Sequence, residues 1–494
     1  MVAIYTIKPI LAVLVSICAV PLILVSRSAN VREGWTFAAA IVKFLLIASM
    51  VAPVLNGGRP TAILFQVLPD VAICFRIDAM GILFALVSSL LWIVTSAYSI
   101  GYMRGLSEHS QTRYFCFFAV SLSATIGVAF SGNLLTLYLF YEMLSFSTYP
   151  LVTHHQDAEA KRSGRKYLLY IVGTSIGLVL PAMLITYHFA GTLTFSEAGL
   201  LPADTPPALI GMLLIFFLFG FAKSGIMPFH SWLPAAMVAP TPVSALLHAV
   251  AVVKVGVFCI LRVMTGVFGI ETLSSLPVHG MVGAAASVTI LAASLIALSQ
   301  DELKRRLAFS TIGQLSYIVL GVALLSPSGL AGSLLHIAMH AVGKITLFFC
   351  AGAIFVATGI RKISQMKGIG KQMPVTLTAF LIGSLSVIGL PPCGGFISKW
   401  YLVLGTLESN QPIFLAVILI SSFLNAAYFL PIVFNAFFRG ADKGSPLGDA
   451  IAEAPMWCIV PLVTTAALCL WLFFYPQPLL NLAKQAAVSA MGGM

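Results

Sequence analysis

The chain has 494 residues, of which 59% are hydrophobic and 9% are charged, and its formal net charge is +11. Soluble domains carry about a quarter charged residues, so this composition excludes an ordinary soluble enzyme or binding domain and predicts an integral membrane protein. The positive charge does not by itself indicate a nucleic-acid partner, because its distribution along the chain has another explanation.

Apolar segments recur from one end of the chain to the other. A transmembrane helix needs about 20 apolar residues, and fourteen segments meet this requirement, the twelfth being long because it is interrupted. The first has too long an apolar run for a signal peptide, so we expect it to remain as a helix. The sequence predicts an all-α polytopic membrane protein with helices at approximately 6–26, 33–55, 78–102, 112–130, 133–153, 165–190, 207–226, 242–267, 276–299, 304–324, 329–358, 373–406, 412–438 and 455–476.

Lysine and arginine are concentrated on one side of this predicted arrangement. The loops that follow the odd-numbered segments hold 17 of these residues, whereas the opposite loops and the two termini together hold 5. Cytoplasmic loops of membrane proteins carry such an excess. We therefore predict a multi-pass protein of the cell inner (plasma) membrane with both termini on the non-cytoplasmic side, and this bias explains the net charge without an anionic partner.

The eight cysteines give no sign of a metal or cluster site. They are scattered singly, mostly within apolar segments, and the sequence contains no C-x-x-C pair. Iron–sulfur and zinc sites use closely spaced cysteines, so we interpret these residues as small packing residues. We expect no cofactor and no metal ligand in this chain.

Two predicted segments are interrupted by glycine and proline. Gly225-Ile226-Met227-Pro228 aligns with Gly389-Leu390-Pro391-Pro392, 164 residues further on. Proline disrupts a helix, and a pair of such interruptions at matching places is typical of an internally repeated transporter. Chance is the alternative, because membrane helices are rich in both residues. The predicted parts are an N-terminal three-helix segment (1–110), two proton-conducting five-helix repeats formed by helices 4–8 (111–270) and 9–13 (271–440), with interrupted helices 7 and 12, and a C-terminal helix with its tail (441–494).

Glu142 is the one carboxylate set deep within a long apolar stretch, NLLTLYLFYEMLSFSTYPLV, and Lys223 stands beside the first interruption. Ionisable groups in hydrocarbon are costly and usually mark an ion or proton path. If the two side chains meet, each stabilises the charged form of the other, so joining and separating them would change the proton affinity of the lysine. A purely structural salt bridge between two helices is the alternative.

The stretch LLHIAMHAVGKITLFF carries His336, His340 and Lys344 at positions i, i+4 and i+8. This spacing puts the three side chains along one helical face, and neutral histidine both donates and accepts hydrogen bonds, so such a row can relay protons. Zinc binding by H-x-x-x-H is one alternative, although a lysine on the same face opposes a cation. Ordinary hydrogen bonding of each histidine to a nearby carbonyl is another.

Further ionisable side chains lie within apolar segments or at their interruptions. In PTPVSALLHAVAVVKVGVFCILR, His248 and Lys254 are six residues apart and do not share a helical face. Lys399 follows the second interruption and is either a terminal proton carrier or a side chain extended to the membrane surface. His230, at the first interruption, either gates proton access or caps the chain. For Lys43, which lacks a titratable neighbour in sequence, we favour a structural role.

Together these stretches resemble the antiporter-like subunits shared by Mrp-type multisubunit cation/proton antiporters and respiratory complex I. The resemblance covers nearly the whole chain and is densest between Asn133 and Lys399, in YEM, FAKSGIMPFHSWLP, APTPVSALLHA, DELKRRLAFSTIGQLSY, HIAMHAVGKITLFF and GLPPCGGFISKW. It implies two inverted repeats and a chain of buried charges across the membrane midplane. On this resemblance the corresponding groups are Glu142 in the fifth helix, Lys223 in the seventh, Lys254 in the eighth, Lys344 in the eleventh and Lys399 in the twelfth.

The sequence resembles the D-type chain of the Mrp antiporters most. The M-type subunit of complex I has a glutamate where Lys399 stands, and the L-type and Mrp A-type chains carry C-terminal extensions. We therefore expect a proton-translocating membrane subunit of a multisubunit Na+/H+ antiporter, assembled with other membrane subunits. The expected order of proton carriers is Lys254 with His248, then His336 and His340, then Lys344, and finally Lys399. A subunit of a complex I-type oxidoreductase or membrane-bound hydrogenase, a self-sufficient solute transporter and a passive scaffold are the alternatives.

Overall fold

The structure is a computed structural model that describes residues 2–68, 70–440 and 451–492, with Leu68, Leu247 and His248 described by their backbone alone. The start predicted for the C-terminal part, at residue 441, lies outside these ranges. The N-terminal part contains both strands and helices. Its elements are β1 (Val2–Tyr5), α1 (Lys8–Val25), α2 (Ala29–Ala48), α3 (Val51–Leu55), β2 (Gly58–Leu68), β3 (Val71–Arg76) and α4 (Ala79–Gly105).

The strands form a sheet that corrects the all-α prediction. Strand β1 pairs parallel with β2, and β2 pairs antiparallel with β3. Strand β1 has four residues and β3 has six, and apolar runs this short do not distinguish a strand from a helix by their periodicity. The prediction therefore missed a small sheet beside the first helices.

The middle of the chain is helical, with several short interruptions. It comprises α5 (Gln111–Ala129), α6 (Leu134–Val152), α7 (Ala158–Thr174), α8 (Leu180–Ala190), α9 (Pro207–Gly220), α10 (Trp232–Ala235), α11 (Thr241–Ala249), α12 (Val252–Val263) and α13 (Ile270–Ser274). A π-helical turn (Ser175–Val179) joins α7 to α8, and a second one (Met264–Phe268) follows α12. A 3-10 turn (Ala222–Ser224) carries Lys223 just after α9.

The last part contains the longest helices. These are α14 (Val278–Ser299), α15 (Leu303–Ala323), α16 (Pro327–Thr358), α17 (Pro374–Ile388), α18 (Gly395–Glu408), α19 (Pro412–Phe438), α20 (Met456–Phe474) and α21 (Gln477–Ala490). Within the described residues, ten helices are long and apolar enough to cross a membrane, and α9 and α17 are shorter apolar helices. The chain is thus a mostly helical protein with multiple apolar helices, as a membrane protein requires.

Several helices begin at polar side chains that cap them. Asp78, Asn133 and Ser326 each accept a hydrogen bond from the backbone N–H three residues later, at the start of α4, α6 and α16. Such caps satisfy N–H groups that have no partner within the helix. They fix where the helices that carry the candidate site begin.

Helix α16 lies at the centre of the bundle. It packs against α4, α11, α15, α17, α18, α20 and α21, and all its residues from Gly329 to Ile354 are buried. The predicted helix at 242–267 is instead divided into α11 and α12 at Val250 and Ala251, an interruption that the sequence analysis did not foresee. Of these two pieces α11 packs directly on α16, and α18 packs on it as well.

Gly256 allows α12 to approach the turn that carries Lys223. A Cβ atom at this position would overlap the backbone of Lys223 and Ser224. Backbone atoms cannot move aside as the end of a flexible side chain can, so the close approach requires glycine.

We expect Gly256→Ala to destabilise the fold by about 1–3 kcal/mol, the usual cost of overpacking. The measurement is the thermal unfolding midpoint of the purified chain in detergent. Gly280→Ala is the matched control, because a Cβ there meets no atom within 4 Å, and alanine favours a helix over glycine. Equal midpoints for Gly256→Ala and the natural protein would contradict the packing argument.

Candidate functional site

Lys223 is held by helix α6 in the interior of the protein. Its side chain is fully buried, and its Nζ donates hydrogen bonds to the Tyr141 carbonyl oxygen at 2.8 Å and to Ser145 Oγ at 2.6 Å. The same Nζ lies 3.1 Å from the centroid of the Tyr141 ring, where the ring's negative face attracts a cation. Residues 141 and 145 are four apart and share a helical face, so one turn of α6 forms the lysine site.

Glu142 follows Tyr141 on α6 but does not bind Lys223. Both of its carboxylate oxygens are buried and have no hydrogen-bond partner among the described residues. No ion pair between Glu142 and Lys223 occurs within 4.0 Å in this part of the chain. Successive helical residues point about 100° apart, so the carboxylate is beside the lysine site without entering it. In this structure the two groups are separate.

Lys254 contacts the central helix directly. It is fully buried on α12, and its Nζ lies 2.6 Å from Nδ1 of His340 on α16. The Nε2 atom of His340 is buried without a partner among the described residues. At this distance one of the two nitrogens donates a hydrogen bond to the other. Which nitrogen is the donor depends on the tautomer of the imidazole.

His336 lies between the His340 ring and helix α18. The two rings stack with centroids 5.7 Å apart and an interplanar angle of 11°. His336 Nδ1 lies 2.8 Å from Ser398 Oγ, and its Nε2 lies 3.1 Å from Gln314 Oε1. Because Oε1 is only an acceptor, Nε2 carries a hydrogen. Nδ1 contacts the Ser398 hydroxyl, whose single hydrogen also has the Gly395 carbonyl oxygen as an acceptor at 3.0 Å. Both ring nitrogens are therefore engaged.

Lys399 stands next to Ser398 on α18 and is buried, with 5% of its surface exposed. Its Nζ donates to the Ile388 carbonyl oxygen at 2.8 Å and to Ser422 Oγ at 3.0 Å. In a continuous helix that carbonyl would accept from residue 392, which is a proline without an N–H group. The second interruption thus frees the acceptor that holds Lys399, and the lysine does not extend to the surface.

Lys344 is buried one turn beyond His340 and is not hydrogen-bonded to it. Its Nζ donates to the Leu307 carbonyl oxygen at 3.2 Å and lies 5.2 Å from the centroid of the Phe429 ring. The three groups on α16 share a face as the spacing predicts. Contacts divide them, however, because His340 binds Lys254 and His336 binds groups near Lys399.

Of the other predicted side chains that the structure describes, His230 and Lys43 do not join this cluster. His230 is half-buried at the first interruption, and its Nδ1 has no partner among the described residues. The side chain of His248 lies outside the described residues. Lys43 is fully buried, donates to Ser16 Oγ at 2.7 Å and lies 5.6 Å from the Trp92 ring, as expected for a structural role.

The resulting arrangement is a row of buried groups. Lys254 contacts His340 and His336 contacts Ser398, and the two imidazole rings stack between these contacts. Lys399 follows Ser398 in the chain but is bound by the Ile388 carbonyl oxygen and Ser422. Sequence reasoning missed the uncharged side chains that hold the buried amines and His336, namely Tyr141, Ser145, Gln314, Ser398 and Ser422. Hydroxyl groups are common in apolar helices, so only Gln314, the one amide within α15, gave a signal.

Comparison with known proteins gives matches over most of the chain. Residues 131–425 match the family described as NADH:quinone oxidoreductase/Mrp antiporter, transmembrane. The NADH-quinone oxidoreductase subunit N of Desulforudis audaxviator is 34% identical over 88% of this chain and 86% of that protein. The Na(+)/H(+) antiporter subunit A1 of Staphylococcus haemolyticus is 29% identical over 94% of this chain and 60% of that longer protein.

A solved structure has the same fold. A chain of the Mrp complex from Dietzia sp. DQ12-45-1b superposes with a TM-score of 0.83, covering 98% of this chain and 96% of that one at 22% sequence identity. At this identity the likeness concerns the fold. It extends over the interrupted helices and the elements that carry the buried amines.

We expect His336→Ala to lower the stability of the protein by about 1–3 kcal/mol, because it leaves the buried side chains of Gln314 and Ser398 without their shared partner. Thermal unfolding in detergent measures the effect. His230→Ala is the comparison, since His230 is half-buried and its Nδ1 has no partner among the described residues. An equal or smaller loss in His336→Ala would show that these contacts do not stabilise the fold.

Proposed function

We propose that this chain, which belongs to the NADH:quinone oxidoreductase/Mrp antiporter transmembrane family, is a proton-translocating subunit of a multisubunit monovalent cation (Na+)/H+ antiporter. The observation that carries the proposal is the row of buried groups Lys254, His340, His336 and Ser398, which ends beside Lys399. Burying several amines is costly, and ionisable groups inside a membrane protein usually mark an ion or proton path.

The contacts support a particular order of proton transfer. A proton taken up at Lys254 passes to His340 across their 2.6 Å contact, and a proton on His336 passes to the Ser398 hydroxyl. Transfer between the two stacked imidazoles, and from Ser398 to Lys399, needs a side-chain rotation or a bridging water. The proton then leaves from Lys399. His248 is proposed to supply Lys254, and His230 to gate access at the first interruption. This order differs from the expected one, in which Lys344 passed the proton on to Lys399. Lys344 now lies beside the proposed path, one turn beyond His340.

Glu142 and Lys223 are proposed to form the switch. In the state described here the lysine is bound by Tyr141 and Ser145, while the carboxyl group has no partner among the described residues. A buried carboxylate without a partner is unfavourable, so Glu142 must bind a proton or meet a cation during the cycle. Joining it to Lys223 would hold the lysine charged, and separating the pair would favour proton release.

The arrangement in the membrane is part of the proposal. Fourteen transmembrane helices, with helices 4–8 and 9–13 as inverted repeats, fit the two interruptions after α9 and α17. The excess of basic residues in alternate loops supports non-cytoplasmic termini in the plasma membrane. Helices α1, α2 and α19 expose apolar side chains, and partner membrane subunits together with lipid are proposed to cover them. Among the Mrp antiporter chains, the D-type remains our assignment.

One specific observation favours a second function. The identity to an NADH-quinone oxidoreductase subunit N is 34%, over 88% of this chain and 86% of that protein. The same row of side chains would then move protons in a redox-driven pump, without carrying a redox centre itself. The two functions differ in what drives the protons, and the buried groups are common to both.

We expect Glu142→Ala and Lys223→Ala each to abolish proton transport while the complex still assembles, because each removes one half of the switch. Proton flux in vesicles containing the complex is the measurement, with co-purification of the partner subunits as the test of assembly. Lys161→Ala, on the exposed face of α7, is the control and should transport normally.

The variant Lys223→Arg distinguishes proton release by Lys223 from a purely structural role of its positive charge. Arginine keeps the positive charge but does not release its proton, so we expect transport to be lost in an assembled complex. Normal transport in this variant or in Lys223→Ala would reject the switch.

We expect the native complex, reconstituted in vesicles, to couple an imposed sodium gradient to a change in internal pH. The purified complex should lack flavin and iron–sulfur absorbance if the antiporter proposal is right. A pump driven by electron transfer, with co-purifying flavin or iron–sulfur subunits and no response to sodium, would favour the second function.

A further inference from the structure

Four metal-binding side chains converge at a place remote from the buried amines. Glu108 and His109 lie in the connection between α4 and α5, and His154 and His155 lie in the connection that follows α6. One carboxylate oxygen, Oε2 of Glu108, lies 3.9 Å from His109 Nδ1, 3.8 Å from His154 Nε2 and 3.7 Å from His155 Nδ1. We propose that Glu108, His109 and His154, with His155 as a fourth ligand, bind a divalent transition-metal ion of the zinc class.

His154 provides the observation that points to a ligand. Its side chain is fully buried, yet neither ring nitrogen has a hydrogen-bond partner among the described residues. Buried polar atoms are nearly always satisfied, and leaving one unpaired costs free energy. A metal ion bound at Nε2, which faces Glu108, would satisfy one of the two nitrogens.

The spacing of the donor atoms fits a four-coordinate ion. Donor atoms of Glu108, His109 and His154 all lie within 4.8 Å of one another. Bonds of about 2.0–2.2 Å in a tetrahedral site separate neighbouring ligand atoms by roughly 3.4 Å. Small side-chain rotations are therefore sufficient to close the cluster around an ion, and three imidazoles with one carboxylate form a ligand set that zinc accepts.

The charge of the cluster also suits a cation. Glu108 supplies a carboxylate beside the imidazoles of His109, His154 and His155, and metal ions are bound by a deprotonated carboxylate and neutral imidazoles. Arg113 and Lys304 are neighbouring cations. Nη2 of Arg113 donates to the backbone carbonyl oxygen of His154 at 2.8 Å, and Nζ of Lys304 donates to the Ala239 carbonyl oxygen at 2.6 Å.

An ion at this place would have a mechanical consequence for the fold. The ligands come from two connections that are distant in sequence, since His109 and His154 are separated by the whole of α5 and α6. A bound ion would join the end of α4 to the end of α6, the helix that holds Glu142 and the acceptors of Lys223.

The test uses the full chain, purified in detergent with a tag free of histidine and stripped with a chelator. Co2+ alone is added as the probe, because tetrahedral cobalt absorbs visible light, and Zn2+ is then used as competitor. We expect saturation at one ion per chain. Glu108→Gln and the double variant His109→Ala/His155→Ala should weaken binding by about tenfold or more.

His188→Ala is the matched control, since this exposed histidine on α8 lies outside the cluster, and it should bind cobalt as the natural protein does. His109 and His155 are themselves partly exposed, with 51% and 35% of the side chain accessible, so their removal leaves the fold intact. Absence of saturable cobalt binding, or undiminished binding in both cluster variants, would overturn the proposal.

Discussion

Every buried amine at the candidate site needs an acceptor, and the fold supplies one at each place. Lys223 and Lys399 are both bound by a carbonyl oxygen together with a serine hydroxyl, and Lys344 is bound by a carbonyl oxygen alone. Lys254 differs, because its partner is the imidazole of His340. A carbonyl oxygen cannot take up a proton under ordinary conditions but an imidazole can. The amines are thus similar in burial and unlike in chemistry.

Interrupted helices are the structural means by which this requirement is met. At the second interruption, the proline at position 392 leaves the Ile388 carbonyl oxygen free for Lys399. At the first, Lys223 sits in a tight turn that Gly256 allows to press against α12. Irregular backbone is tolerated inside a membrane protein only where its polar groups find partners. Here the freed groups and the buried charges satisfy one another.

The sequence was sufficient to predict the buried amines, the shared face of His336, His340 and Lys344, and membership of the family. It was insufficient for the contacts, because hydroxyl groups such as Ser398 carry no distinguishing pattern in an apolar helix. The small sheet and the division between α11 and α12 were not predicted for a related reason. The periodicity of a short apolar run does not show whether it forms a strand or part of a helix. The Glu108 cluster was not predicted because its members become neighbours only when α4 and α6 have both packed against α5.

The three ionisable groups on α16 belong to one unbroken helix of 32 residues. A movement of this helix as a rigid body carries both imidazoles with it. Any translation of α16 along its axis, or rotation about it, changes both the distance from His340 to Lys254 and the distance from His336 to Ser398. If protons follow the proposed order, a displacement of α16 would therefore interrupt both contacts together.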